Sequence, residues 1–418
     1  MTTAAIKPVA SPASKSRLHV PATPARPGNS PDFSYLRISP AGATPRPAVD
    51  AKAADISGLA QGLVRVLDDS HRPVGPWQIP IDVERLKSGL HNMLLTRTFD
   101  KRMQRTHRQG RISFYIQSTG EEAVSVAQAM ALQPDDMLFP SYRNQGLFVT
   151  RGVPLVDLMS QLLANQHDMC KGRQLPVMYH SGPKRIFSIS GNLATQFPQA
   201  VGWAMASAIK GEPNISSVWI GEGSSAEADF HHGMLFASVY RAPCILNVVN
   251  NQWAISTFQG YAGGEQQSFA ARGPGFGIPG IRVDGNDFLA VYAVTDWAAQ
   301  RARANHGPTL IELVTYRAEA HSTSDDPSRY RPRDDYQHWP LGDPIERLKQ
   351  HLLLLGHWTE SDHATLTQQL EAQVETAWSE AISHSTTPLD RNLMFEDVFK
   401  DMPEHLRRQR KALAAERG

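Results

Sequence analysis

A chain of 418 residues with 41% apolar side chains can bury a full α/β core with appended segments, which excludes a short peptide-binding module. Its 42 basic and 41 acidic residues leave a net charge of +1, so no overall field draws nucleic acid or an anionic membrane, and an acidic ligand must be met locally. Cys170 and Cys244 lie far apart without metal-ligand spacing, which fits buried thiols in a reducing compartment, and no apolar run approaches the ~18 residues of a spanning helix.

Residues 1–31 contain no Asp or Glu and are rich in Ala, Ser and Thr, the composition of an organellar transit peptide. Six prolines would break the amphipathic helix such a peptide needs. This favours a disordered tail on a cytoplasmic protein, with import into a mitochondrial matrix as the alternative. Order is expected from Asp32, first as an extended arm over 32–80 that includes Trp77. The main domain, 81–340, opens on a long helix, because Leu86, Leu90, Met93 and Leu94 recur at helical spacing after Val83. Strands are predicted at Val218–Ile220, Ile245–Val249 and Leu310–Tyr316, with a helix over Ala226–Tyr240, a βαβ unit of a parallel sheet. The fold class is therefore α/β, a doubly wound, mainly parallel sheet with helices on both faces. A helical segment, 341–418, should follow: one helix from Pro344 toward Leu355, a polar stretch with Pro388, and a last helix from Met394 to Leu413. The basic run Arg407 to Lys411 on that helix reads as a solvated or subunit-contacting face.

Ligands of such sheets bind beyond the carboxyl ends of strands, which is where this sequence clusters its polar residues. Gly221-Glu222-Gly223 follows one strand and Asn250-Asn251 the next, about 30 positions on. A diphosphate needs the close backbone approach that glycine permits and free N–H groups at a helix start. Mg²⁺ on phosphate takes one or two protein oxygens besides, so Glu222 and Asn251 are a suitable pair. Arg143 offers a forked donor for phosphate oxygens.

This pattern resembles the thiamine-diphosphate motif, Gly-Asp-Gly followed by Asn-Asn, with Glu222 in place of the commoner Asp. Further segments resemble the α subunits of branched-chain 2-oxoacid dehydrogenases: Gly110 to Tyr115, Gly120 to Ala123, Gly172 to Pro176, Leu193 to Gln196, Arg282 to Asp287, Tyr316-Arg317, His321 to Asp326, Phe395 to Val398 and Met402-Pro403. The resemblance implies a thiamine-diphosphate-binding fold and oxidative decarboxylation of branched-chain 2-oxoacids with acyl transfer to lipoyl groups. Pyruvate or acetoin dehydrogenase is the alternative. It implies a β subunit in an α2β2 assembly, which supplies the pyrimidine-activating glutamate, and a lipoyl-bearing acyltransferase.

By the same resemblance, Glu222, Asn251 and the Trp253 carbonyl hold Mg²⁺. Ser141, Tyr142, Arg143, Gly191, Leu193, Gly221, Gly223, Ser224, Ala254 and Ile255 surround the cofactor with them. His321 is the catalytic candidate and a diphosphate contact. Phe114, Tyr115 and Gln117 are candidates for the acyl pocket. Ser190, Thr195 and Gln196 match positions that bind K⁺ in some relatives, an option left open. Ser322 matches a serine phosphorylated in animal relatives. Two departures thin the match: Val249 stands where animal members have Arg, and Gly191 where they have Ser. The small side chains from Ala200 to Ala208 would allow close packing on another helix.

Overall fold

The computed structural model describes residues 18–386, 390–396 and 398–415. Five parallel strands form the central sheet: β1 (Met137–Phe139), β2 (Ser216–Gly221), β3 (Cys244–Asn250), β6 (Gly280–Asp284) and β7 (Thr309–Val314), in the order β1-β2-β3-β7-β6. A two-stranded antiparallel hairpin, β4 (Trp253–Ala254) and β5 (Thr257–Phe258), follows β3 directly. Strands buried on both faces must be apolar on both, and period-2 alternation divides them. Val218, Ile220, Leu246 and Val248 face one core with the Gln196–Lys210 and Ala228–Val239 helices. Trp219, Ile245, Val249, Ile311 and Leu313 face the other, with the helices Val83–Arg108, Glu122–Ala131 and Phe288–Arg303. This is the α/β sandwich expected, and no helix among the described residues is long and apolar enough to cross a membrane.

The arm covers the sheet's β6 edge. Val64 donates to the Arg282 carbonyl and accepts from Asp284, pairing in parallel with Val283, so these two groups of the edge are satisfied within the chain. Contacts start earlier than Asp32: His19 bonds Glu265 at 3.0 Å and Ala25 is buried. Residues 1–17 of the expected tail lie outside the described residues, as do Pro388 and Asp397.

Several predicted bounds shift for local reasons. β7 ends at Val314, although Thr315 and Arg317 still donate to the carbonyls of Asn250 and Asn251. Before the Ala228–Val239 helix the chain makes a 3-10 turn, Gly223–Ala226. The last helix begins at Glu404, not Met394, because Pro403 disfavours helical backbone before it and supplies no N–H. Ahead of it stands only a short turn, Arg391–Phe395. A helix not singled out from the sequence, Glu360–Ser383, starts at a capping box in which Thr359 and Asp362 cap each other.

Asp100, fully buried on the first long helix, ties that helix to the segment after it. One oxygen accepts from the Tyr115 hydroxyl at 2.5 Å, the other from the Ser118 N–H at 2.6 Å and its hydroxyl at 2.8 Å. Burial pushes its pKa up to about 7 despite these bonds. Asp100→Ala strands three buried donors and should cost about 3 kcal/mol, read as a lower denaturant midpoint of the assembled protein. A midpoint within error of wild type would contradict that account.

Candidate cofactor cleft

The carboxyl ends of β1, β2, β3 and β7 open onto one cleft of about 280 Å³. After β1 come Ser141, Tyr142 and Arg143; after β2, Gly221, Glu222, Gly223 and Ser224; after β3, Asn251, Trp253, Ala254 and Ile255; after β7, His321. Leu193 joins from the loop before the Gln196–Lys210 helix, and Ser190 and Gln196 lie at the same wall. Segments as far apart as Ser141 and His321 thus meet because parallel strands end on one side. Gly191 is exposed and does not line the cleft. Nor do Phe114, Tyr115 and Gln117: Tyr115 is core, bonded to Asp100, and Gln117 presents its carbonyl to Arg143. Ser322, beside His321, is largely buried.

The turns that carry these residues hold unusual backbone. Ala194, Gln252 and Ile255 adopt left-handed φ of 61°, 76° and 55°, which side chains, above all a branched one, rarely tolerate. Arg317 fastens the last of these turns. Buried after β7, it donates to the carbonyls of Trp253 at 3.1 Å and Ile255 at 2.8 Å and to the Tyr330 hydroxyl at 2.6 Å. The Trp253 oxygen therefore keeps one lone pair for any further partner. Tyr316-Arg317 was legible as a motif, but nothing in the sequence reveals this bracing role.

Arg143 is less free than its sequence suggests. It donates to the Gln117 carbonyl at 2.5 Å, and to the carbonyl and Nδ1 of His321 at 3.0 and 3.2 Å. Since guanidinium only donates, His321 Nδ1 must accept, which assigns its proton to Nε2. Burial, then the charges of Arg143 and Arg317, hold the imidazole down to about 3, so it is neutral with an N–H to offer.

Two carboxylates face the cleft. Glu222 is 1% exposed and its Oε1 has no hydrogen-bond partner. Burial, helped by the charge of Glu121, pushes it up to about 7. Glu121, whose role the sequence did not reveal, is likewise pushed up to about 7 by burial, with Arg143 and an Asn251 N–H pulling it back. An orphaned buried carboxylate oxygen beside a second carboxylate is costly in an empty protein and is relieved by a cation. Among the described residues no group of three or more His, Cys, Asp and Glu could hold a metal ion, so a metal here would draw on amide and carbonyl oxygens as well. One carboxylate, the Asn251 amide and the Trp253 carbonyl suit Mg²⁺ completed by phosphate oxygens. With Arg143 and His321 beside it, the cleft can take a cation and a multiply charged anion together.

A family model described as dehydrogenase E1 component matches residues 91–389, and one described as 2-oxoisovalerate dehydrogenase E1 alpha subunit N terminal matches residues 14–54. The chain is 58% identical over 402 residues to 2-oxoisovalerate dehydrogenase subunit alpha of Pseudomonas aeruginosa, covering 95% of this chain and 98% of that one. It is 41% identical over 363 residues to the mitochondrial 2-oxoisovalerate dehydrogenase subunit alpha of Mus musculus, covering 86% and 80%. A plant counterpart, 2-oxoisovalerate dehydrogenase subunit alpha 1, mitochondrial, from Arabidopsis thaliana, is 38% identical over 82% of this chain and 73% of its own.

Proposed function

This chain belongs to the dehydrogenase E1 component family, and from that membership we propose that it is the α subunit of a branched-chain 2-oxoacid dehydrogenase, using thiamine diphosphate and Mg²⁺. The observation that carries the metal assignment is the partnerless, buried Glu222 Oε1 at the strand ends, and thiamine diphosphate rests on the family. The substrate class rests on relatives named as 2-oxoisovalerate enzymes rather than pyruvate or acetoin enzymes.

Glu222, Asn251 and the Trp253 carbonyl would hold the metal; His321 Nε2–H and the N–H groups of Gly223 and Ser224 would meet the diphosphate, the Glu222 N–H being taken by the Val249 carbonyl. When bound, thiamine diphosphate would supply the electron sink for decarboxylation and for acyl transfer to a lipoyl carrier; the protein supplies orientation and electrostatics. Arg317 keeps the Trp253–Ile255 turn in place, and Arg143 keeps His321 turned, while burial and then the two arginines keep it neutral. By the family resemblance, the glutamate that activates the cofactor's pyrimidine would come from the β subunit. An exposed apolar face suits that β subunit and an α2β2 assembly: Ile209, Leu235, Phe236, Val239 and Tyr240 stand outward, while Ala200 and Ala204 pack inward on the sheet. Gln196 Oε1, also buried and without a partner, beside Ser190 and Thr195, supports a K⁺ there. The bacterial relative supports a cytoplasmic place.

Purification with the β subunit in Mg²⁺, followed by mass-spectrometric identification of the bound cofactor, tests this reading. One thiamine diphosphate per α chain is expected; a nucleotide in its place, or protection of the fold by ATP and not by thiamine diphosphate, would overturn it.

A further inference from the structure

We propose that Glu121 is a positioning residue which fixes the direction of the Asn251 amide and, through the same oxygen, steadies Arg143, coupling the metal side of the cleft to its phosphate side. The inference rests on the reading of this cleft as a Mg²⁺ and diphosphate site.

Glu121 occupies the N-cap of the Glu122–Ala131 helix, where an acidic side chain ordinarily accepts from an amide of its own first turn. It makes no such bond. Its carboxylate is turned into the cleft instead, 3% exposed, where Oε1 accepts from Asn251 Nδ2 at 2.6 Å and lies 3.5 Å from Arg143 Nε. The turn is enforced from below. Gly120 sits at φ +96°, where a Cβ would come within 2.3 Å of the Tyr316 carbonyl, and its own carbonyl accepts from Thr315 and Asn286. The helix start is thereby pressed against the end of β7. The neighbouring Glu122 is committed to structure: it accepts from Arg97 at 2.6 Å and from the Gly120 N–H at 2.9 Å. Two consecutive glutamates of the same motif therefore do different work, one bracing the helix and one facing the cleft.

An amide side chain has two ends of nearly equal shape, and its surroundings decide which end points where. In its ionised form, which the Arg143 guanidinium beside it favours, Glu121 only accepts and so admits only the NH2 end of Asn251. Flipped, the amide oxygen would lie against a carboxylate oxygen in a buried setting, two acceptors with no proton between them. Asn251 Oδ1 is thereby held on the other side, where the Trp253 N–H donates at 3.2 Å and a lone pair stays available to a cation. Without Glu121 only the Trp253 N–H holds the amide, and the flipped orientation, which offers the metal an NH2 group, becomes more accessible.

The test uses the α/β complex stripped of cofactor, with Mg²⁺ titrated calorimetrically at fixed thiamine diphosphate. Glu121→Met keeps the volume and removes the acceptor; Glu121→Gln keeps an acceptor for Asn251 and removes the charge; Glu121→Ala serves if the Met variant does not assemble. Loss of such a supporting partner typically costs about 10- to 100-fold in metal affinity, and that loss is expected for Met or Ala, with Gln within a few-fold of wild type. Thermal midpoints of the cofactor-free complexes should not rank the same way. Unchanged Mg²⁺ affinity in the acceptor-free variant, or a Gln variant no better than it, overturns the inference. Glu222→Gln run alongside separates the two failures: if it loses Mg²⁺ dependence while the acceptor-free Glu121 variant does not, only the role of Glu121 falls. If wild type itself takes up no cofactor with Mg²⁺, the reading of the cleft falls with it.

Discussion

Glu222→Gln is expected to lower turnover of the α/β complex by ~10³-fold, because a factor of that size is about 4 kcal/mol, the scale of losing one partner of a buried charge pair. The amide keeps one oxygen of nearly the same shape but gives up the charge that would face Mg²⁺. Metal and thiamine diphosphate should weaken together, since each bridges the other to the protein and linkage is reciprocal. Calorimetric titration with and without Mg²⁺ reads this coupling. The cofactor-free protein should behave in the opposite sense. Burial disfavours the Glu222 charge and leaves Oε1 without a partner, so the neutral variant should melt no lower than wild type. A variant that loses stability as well as activity would mark Glu222 as a packing residue. Cofactor binding with unchanged Mg²⁺ dependence would remove it from the metal site.

Gly223→Val should have the next largest effect. A Cβ at Gly223 would stand 2.5 Å from the Ala254 Cβ, so the turn after β2 and the hairpin after β3 approach only because this position has no side chain. Forcing them apart separates Glu222 from Asn251 and the Trp253 carbonyl. Overpacking of this kind costs about 1–3 kcal/mol in stability. The loss of cofactor affinity should be larger, ~10²-fold, because misplacement by an ångström is enough to undo a preorganised site. Gly221→Ala is the control for the fold: an added Cβ there meets nothing within 4 Å, and the melting midpoint of the cofactor-free complex should not move. Equal destabilisation by both substitutions would show that the close approach at Ala254 is not the cause.

What the sequence made legible follows from chain-local signals. β2, β3 and β7 read as short apolar runs, and each ends in polar residues that a parallel sheet must deliver to one side, so Glu222, Asn251 and His321 could be brought together without coordinates. The capping box at Thr359 was an available signal for the Glu360–Ser383 helix, and Pro403 for the start of the last helix. Other features depend on tertiary contacts that no local pattern encodes. Tyr115, in an aromatic stretch beside the motif, read as a pocket residue, yet its hydroxyl is consumed by Asp100 across the core. Arg143 read as a free fork for phosphate, yet much of it is spent on Gln117 and His321. The division of labour between Glu121 and Glu122 is set by the left-handed turn at Gly120 and its contact with the end of β7, which two adjacent identical letters cannot express.

The most direct measurement is steady-state decarboxylation of 3-methyl-2-oxobutanoate and of pyruvate by this chain alone and with its β subunit, in thiamine diphosphate and Mg²⁺. Activity is predicted only when both chains and both cofactors are present. The branched substrate should be favoured in kcat/KM by at least ~10-fold, the lower end of what one or two methylenes in a pocket are worth. Full turnover by this chain alone, or a preference for pyruvate, would contradict the account.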